Sequence, residues 1–238
     1  MEIVILKNAD KATKYATFLI IKQIGKKKNS TLGLASGRTM VPLYKFLTEY
    51  YGMGRVDFSK IKTFNLDEYY GSAFFDKKSL RRFMQENFFN GVNLAENSIN
   101  FLDGGDKKWR VVCKNYESEI RKAGGIDLQI LGIGRNGHIG FNEPGSLENS
   151  KTRKVKLTGE TRGVNGVKYK EALTMGISTI LKARKILLLA AGKEKAEIMK
   201  KVIEGKIGKE VPASFLRNHK DVVFIMDREA AGRLKRFK

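Results

Sequence analysis

The sequence predicts one α/β domain spanning residues 1–238, with a mostly parallel sheet flanked by helices in a Rossmann-like three-layer sandwich. Short apolar runs, bounded by glycine or polar residues, predict buried strands. They alternate with segments whose apolar residues recur at helical spacing, which is typical of a parallel α/β sheet. No repeat, linker or low-complexity segment divides the chain, and 238 residues are enough for one large core.

The predicted elements alternate along the chain. Apolar runs predict strands at residues 1–6, 30–35, 61–66, 99–102, 126–131, 186–191 and 222–226. Helical spacing predicts helices at residues 12–19, from Pro42 onward, and at 79–87, 107–123 and 192–204. Ser178 has the residue type of a helix N-cap. Residues 151–165 are basic and polar without a clear period, so we expect a mobile lid around residues 147–170.

The net charge of +21 does not by itself predict a nucleic-acid partner. The 46 lysines and arginines are spread over the whole chain, and the longest basic run is only residues 26–28. We therefore expect a solvated, lysine-rich surface without a specific nucleic-acid partner. Its positive field favours a small phosphorylated substrate.

Other features of the composition indicate a cytoplasmic enzyme. No apolar run reaches the length of a membrane span and no signal peptide is visible, so no membrane association is expected. The single cysteine, Cys113, allows no intrachain disulfide, which indicates a reducing compartment. Two separated histidines give no cluster spaced for a metal, and no cofactor is implied. The sequence leaves the oligomeric state open, including a homo-oligomer.

Residues 124–146 carry the strongest functional signal. A glycine-rich loop containing His138 and Glu143 directly follows the predicted strand 126–131, and ligands bind beyond such strand ends in open α/β sheets. The loop contains the dinucleotide pattern G-x-G-x-x-G, but Pro144 breaks the chain where that motif requires a helix. A turn with a purely structural histidine is the other alternative, and the density of polar groups disfavours it.

Three further strand ends carry polar residues. Residues 36–39, S-G-R-T, precede a helix, where backbone N–H groups, the helix dipole and two hydroxyls favour an anion. A plain strand–helix turn is the alternative there. Asp67 and Glu68 follow the next strand, and a carboxylate facing a crevice can act as a general base. Residues 192–195, G-K-E-K, place positive charge at a helix start, where a bound anion would offset it.

Four motifs make the sequence resemble the glucosamine-6-phosphate deaminase (isomerase) family over nearly the whole chain. They are L-G-L-A-S-G-R-T at residues 32–39, F-N-L-D-E-Y at 64–69, L-G-I-G-R-N-G-H-I-G-F-N-E-P-G at 131–145 and A-L-T-M-G-I-S-T-I-L at 172–181. The third is the most specific, because the related phosphogluconolactonases usually continue the same turn as G-H-T-A-S-L-F-P. The resemblance implies conversion of glucosamine 6-phosphate and water to fructose 6-phosphate and ammonia, by ring opening, C2 proton abstraction and deamination.

The resemblance also implies a role for each matched residue. His138 matches the group that moves the ring-opening proton, with Glu143 as its carboxylate partner and Asn136 beside it. Asp67 matches the base that removes the C2 proton. The matched phosphate ligands are Ser36, Gly37, Arg38, Thr39, Arg162 and Lys195.

Three residues depart from the family's common pattern. Arg38 occupies a usually small position of the phosphate loop, Asn136 stands where many members carry aspartate, and Arg217 replaces a glutamine. None of these changes removes a matched acid or base. Two alternatives stay open, a 6-phosphogluconolactonase-like hydrolase, which needs no C2 base, and a non-catalytic sugar-phosphate sensor of the same fold.

Overall fold

Ten strands and eight α-helices alternate in this computed structural model, which describes residues 1–73 and 76–235. The strands are β1 (Glu2–Leu6), β2 (Thr31–Leu34), β3 (Lys62–Asn65), β4 (Asp67–Tyr69), β5 (Ile99–Asn100), β6 (Leu128–Leu131), β7 (Arg153–Lys156), β8 (Glu171–Thr174), β9 (Lys185–Ala190) and β10 (Val222–Asp227). The helices are α1 (Ala9–Lys26), α2 (Val41–Gly52), α3 (Leu80–Asn87), α4 (Trp109–Lys122), α5 (Gly159–Asn165), α6 (Ile177–Ile180), α7 (Ala196–Glu204) and α8 (Arg228–Ala231). Every predicted helix is present among them.

The main sheet has seven parallel strands in the order β1-β10-β9-β6-β2-β3-β5. These are the seven strands predicted from apolar runs, and each prediction is confirmed. Every residue of β2, β6 and β10 is buried, as expected for a parallel sheet covered by helices. Chain order reverses between β2 and β6, and such switch points open a crevice beyond the carboxyl ends of the strands.

Two buried tyrosines fix the carboxyl ends of the strands beside that crevice. Tyr44 of α2 donates a hydrogen bond of 2.5 Å to the carbonyl of Ala35, and Tyr116 of α4 donates one of 2.6 Å to the carbonyl of Asn65. The Tyr44 ring also stacks on Phe88, with ring centroids 4.9 Å apart. These contacts place the residues that follow β2 and β3 on a rigid support.

A second, antiparallel sheet, in the order β4-β8-β7, is absent from the sequence prediction. The expectation that residues 151–165 lack regular structure is wrong, because β7 and α5 lie there. The strand β7 reads R-K-V-K and has one apolar residue, so its own pattern does not predict a strand. Pairing with β8 provides the stabilisation that the local sequence lacks.

The N-cap predicted at Ser178 is also wrong. Helix α6 begins after Gly176, and Ser178 lies inside it. The cap comes from elsewhere in the chain, because the Ser150 hydroxyl accepts a hydrogen bond of 3.1 Å from the Ile177 N–H. Gly176 permits this approach, since a Cβ there would lie 2.2 Å from the Ser150 carbonyl oxygen.

The two ends of the described chain need only brief mention. The basic segment predicted from Arg228 begins as the short helix α8, and residues 236–238 lie outside the described residues. Within residues 1–73 and 76–235, no helix is both long and apolar enough to cross a membrane.

Candidate active site

An open cleft of about 820 Å³ lies beyond the carboxyl ends of β2, β3, β6 and β9. Each of these strand ends contributes to its wall: Ser36 follows β2, Asp67 follows β3, His138 follows β6 and Lys195 follows β9. Residues 163–167, at the end of α5, line the opposite side. The cleft therefore combines the switch point of the main sheet with the segment that joins β7 to β8.

The His138 imidazole is held through its Nδ1 atom. Nδ1 lies 2.8 Å from Asn136 Oδ1 and 3.5 Å from Glu143 Oε2. Both oxygens are acceptors, so the neutral ring carries its proton on Nδ1 and leaves Nε2 as a proton acceptor. The ring lies directly over Gly134, where a Cβ would be 2.2 Å from it, so this position requires glycine.

Glu143 lies behind His138 and is 8% exposed. Its Oε2 accepts a hydrogen bond of 2.7 Å from the Asn136 amide, and its Oε1 accepts one of 2.5 Å from the Thr161 hydroxyl. Burial alone would raise the pKa of Glu143, but hydrogen bonds from His138, Thr161 and Asn136 outweigh it and lower that pKa to about 2. Glu143 is therefore a carboxylate at neutral pH and stabilises positive charge on the imidazole.

Asp67 is similarly buried, at 6% exposed, but has fewer hydrogen-bond donors around it. Its hydrogen bond from the Ser36 hydroxyl is long, at 3.4 Å. Burial and the neighbouring charge of Glu68 raise the pKa of Asp67 to about 7, and the Ser36 contact offsets this only in part. A carboxyl group with a pKa near neutrality is well suited to accept a proton at working pH.

Glu68, next to Asp67, has a structural role. Its carboxylate accepts hydrogen bonds of 2.9 and 2.8 Å from the backbone N–H groups of Leu80 and Arg81, in the first turn of α3. Free N–H groups at a helix start favour a negative charge. These contacts attach β4 to α3 and fix the backbone on which Asp67 sits.

Cations gather along another part of the cleft. Arg38, Arg135 and Lys195 line it, and the pKa of Lys195 is lowered by burial and then by the charges of Arg135 and Arg38. Mutually repelling cations favour a bound anion between them. The loop before α2 turns at Gly37, whose φ of 113° favours glycine. Among the described residues, no group of three or more His, Cys, Asp or Glu side chains is placed to hold a metal ion.

All the predicted site residues except Glu143 and Arg162 line this cleft. Glu143 reaches it through His138. Arg162 lies on α5, and its buried Nε has no hydrogen-bond partner among the described residues. The guanidinium of Arg38 donates a hydrogen bond of 3.0 Å to the Val164 carbonyl, which connects the loop after β2 to the end of α5.

Sequence reasoning missed the contacts of Thr158 and Thr161 with Glu143. Thr158 is the N-cap of α5, and its hydroxyl accepts a hydrogen bond of 3.1 Å from the Thr161 N–H. The T-G-E-T sequence at residues 158–161 carries the signal of a helix start, which was available from the sequence. The approach of these hydroxyls to Glu143, however, depends on the tertiary fold.

Comparisons with known proteins agree with this architecture. The model of the family described as glucosamine-6-phosphate isomerases/6-phosphogluconolactonase matches residues 7–225. The glucosamine-6-phosphate deaminase of Thermoanaerobacter pseudethanolicus is 46% identical over 97% of this chain and 94% of that protein. That of Clostridium botulinum (strain Loch Maree) is 45% identical over 98% of this chain and 99% of that protein.

Solved structures give the same result. The structure of a monomeric glucosamine-6-phosphate deaminase has a TM-score of 0.95 at 37% identity, covering 98% of this chain and 100% of that chain. The 6-phosphogluconolactonase of Thermotoga maritima has a TM-score of 0.78 at 24% identity, covering 95% and 99% of the two chains, and shows the shared fold.

A parallel sheet with a cleft at its switch point, containing a buried acid and a histidine–carboxylate pair, defines an α/β enzyme. This chain belongs to the glucosamine-6-phosphate isomerase/6-phosphogluconolactonase family. The resemblance predicted from the four motifs is thereby confirmed, together with the mostly parallel α/β fold.

Proposed function

We propose that this protein is a glucosamine-6-phosphate deaminase, which converts glucosamine 6-phosphate and water to fructose 6-phosphate and ammonia. The observation that carries the proposal is the pairing of a buried, weakly solvated Asp67 with the His138–Glu143 pair in one cleft. The curated relatives named as deaminases support it, since they are similar to this chain over nearly its full length.

Ring opening is the task of His138. The pyranose must lose the proton of its anomeric hydroxyl and gain one on the ring oxygen. A neutral imidazole whose Nε2 accepts a proton, and whose protonated form is stabilised by Glu143, suits both transfers. Asn136 holds the ring by accepting from Nδ1 and orients Glu143 by donating to its carboxylate.

Isomerisation and deamination then depend on Asp67. Its carboxylate removes the C2 proton of the open-chain aldose, and the C1 carbonyl oxygen takes up a proton, which gives an enolamine. Protonation at C1 converts the enolamine to a C2 imine, water adds to the imine carbon, and ammonia leaves with the C2 carbonyl formed. The pKa of about 7 for Asp67 keeps its basic form available while strengthening it as a base.

The phosphate is assigned to the cationic part of the cleft. Ser36, Gly37, Arg38 and Thr39 form the loop before α2, and Lys195 lies at the start of α7. Backbone N–H groups at a helix start, with nearby cations, favour a phosphate group. Arg162 completes the proposed set only after a movement of α5, because it does not line the cleft in this conformation.

The proposal has two further parts. Residues 147–170 act as the lid, since α5 and the residues after it form one wall of the cleft and are mostly exposed. The site of action is the cytoplasm, and the partner is the phosphorylated amino sugar rather than a nucleic acid.

The direct test is an incubation of the purified protein with glucosamine 6-phosphate. Ammonia and fructose 6-phosphate should form in equal amounts. A parallel incubation with 6-phosphogluconolactone separates the lactonase alternative, which requires no C2 proton transfer. Lactone hydrolysis without ammonia release would overturn the proposal.

A further inference from the structure

The Glu143 carboxylate is shared between two segments of the chain. Its Oε2 atom faces the loop after β6, where Asn136 and His138 lie at 2.7 and 3.5 Å. Its Oε1 atom faces the start of α5, where the Thr161 hydroxyl lies at 2.5 Å and that of Thr158 at 3.4 Å. One oxygen therefore serves the imidazole, and the other is bound by the proposed lid.

The Thr161 hydroxyl is fixed in place by the way α5 begins. Thr161 is only 4% exposed, so its hydroxyl has little access to solvent as an alternative partner. Thr158 caps the helix by accepting from the Thr161 N–H at 3.1 Å, and the two hydroxyl oxygens are 3.0 Å apart. Formation of the first turn of α5 thus delivers a preoriented donor to Glu143.

Without that donor, Glu143 has another direction to take. It also borders a second groove of about 460 Å³, which is lined by Pro144, Ser146 and residues near β7. A buried carboxylate oxygen left without a donor is unfavourable, and rotation toward this groove would restore its solvation. The same rotation would remove the carboxylate from Nδ1 of His138.

We propose that Thr161 is a positioning residue, whose hydroxyl holds Glu143 against His138 and so makes the histidine–carboxylate pair dependent on a folded α5. The proposal rests on the deaminase function assigned above. Thr161 does not contact the substrate in this account. It acts through Glu143, and its loss should therefore affect turnover more than substrate binding.

The chain offers a matched control for this contact. Thr179 is also 4% exposed, and its hydroxyl donates a 2.5 Å hydrogen bond to Glu117, away from the cleft. Thr161→Val and Thr179→Val each remove one buried hydroxyl bound to a glutamate. Thr161→Val should lower kcat for glucosamine 6-phosphate about 10-fold with KM within about twofold, as expected for a lost hydrogen bond to a charged group. Thr179→Val should leave kcat unchanged, and Thr161→Ser should recover most of the loss.

A double-mutant cycle tests whether Thr161 acts through Glu143. In a Glu143→Gln background, Thr161→Val should have no further effect on kcat, because the group that it positions has already been changed. An equal loss of kcat in both backgrounds, or a Thr161→Val variant with wild-type kcat, would overturn the proposal. Thr161→Ala provides the same comparison if the valine variant does not fold. Failure of the deaminase assignment is distinguishable, because the wild type itself would then release no ammonia.

Discussion

Two buried carboxyl groups of the same cleft differ in their protonation. Asp67 and Glu143 are 6% and 8% exposed, yet the pKa of Asp67 is raised to about 7 and that of Glu143 is lowered to about 2. Burial raises both pKa values, and the difference comes from hydrogen-bond donors. Glu143 accepts short hydrogen bonds from Asn136 and Thr161, whereas Asp67 has one long contact from Ser36. The donors assign one acid to a permanent charge and the other to proton transfer.

The largest expected effect comes from Asp67→Asn. If Asp67 removes the C2 proton, the substitution should lower kcat by about 10²–10⁴-fold, the usual range for a positioned acid or base. Binding of the phosphorylated sugar should survive, because the cationic part of the cleft is unchanged. Steady-state kinetics with glucosamine 6-phosphate measure this. A kcat near that of the wild type would end the assignment and return the lactonase alternative.

A somewhat smaller and more selective effect is expected for His138→Gln. Turnover of glucosamine 6-phosphate should fall about 10²-fold, because the pyranose loses its proton carrier. An analogue without the C5 hydroxyl, which cannot form the pyranose, should be far less affected. Rates on the two substrates, measured for wild type and variant, give the comparison. Equal losses on both would place His138 in structure or binding rather than in ring opening.

Changes in the cationic region should act mainly on binding. Lys195→Ala should raise KM for glucosamine 6-phosphate about 10-fold, since it removes a charge-assisted contact to the phosphate. Arg162→Ala should do the same only if α5 moves to bring the guanidinium into the cleft. Unphosphorylated glucosamine is the control substrate. A variant that loses as much activity on it as on the phosphate ester does not have a changed phosphate ligand.

The smallest expected effects are opposite changes in stability at the two acids. The unfolded chain releases an Asp proton near pH ~4, whereas folded Asp67 keeps it up to pH about 7, so this group lowers stability as pH rises through that window. Asp67→Asn should therefore raise the free energy of unfolding at pH 8 by about 1–2 kcal/mol, and by less at pH 5. Glu143 has the reverse sign, since its stabilisation is present above its unfolded pKa and is lost as pH falls toward about 2.

Glu143→Gln should accordingly lower the free energy of unfolding by about 1–2 kcal/mol at both pH values. Urea unfolding of wild type and both variants measures these differences. Changes of the same sign in the two variants would contradict the contrast between the acids.

The sequence predicted the main sheet and much of the cleft, because apolar runs identify buried parallel strands and the loops after them carry the polar residues. The second sheet was missed, since β7 has one valine among three cations and becomes a strand only by pairing with β8. The Thr161 contact was missed for a related reason. Hydroxyls that cap a helix are visible in sequence, but their approach to a carboxylate 18 positions earlier depends on tertiary packing.

The most direct test of the central claim is deuterium incorporation at C2. Glucosamine 6-phosphate is recovered after partial turnover in D₂O, and its C2 position is examined by NMR for the wild type and Asp67→Asn. The account predicts exchange at C2 with the wild type and none above background with the variant, although the variant still binds the sugar phosphate. Exchange at the wild-type rate in Asp67→Asn would show that another group removes the proton.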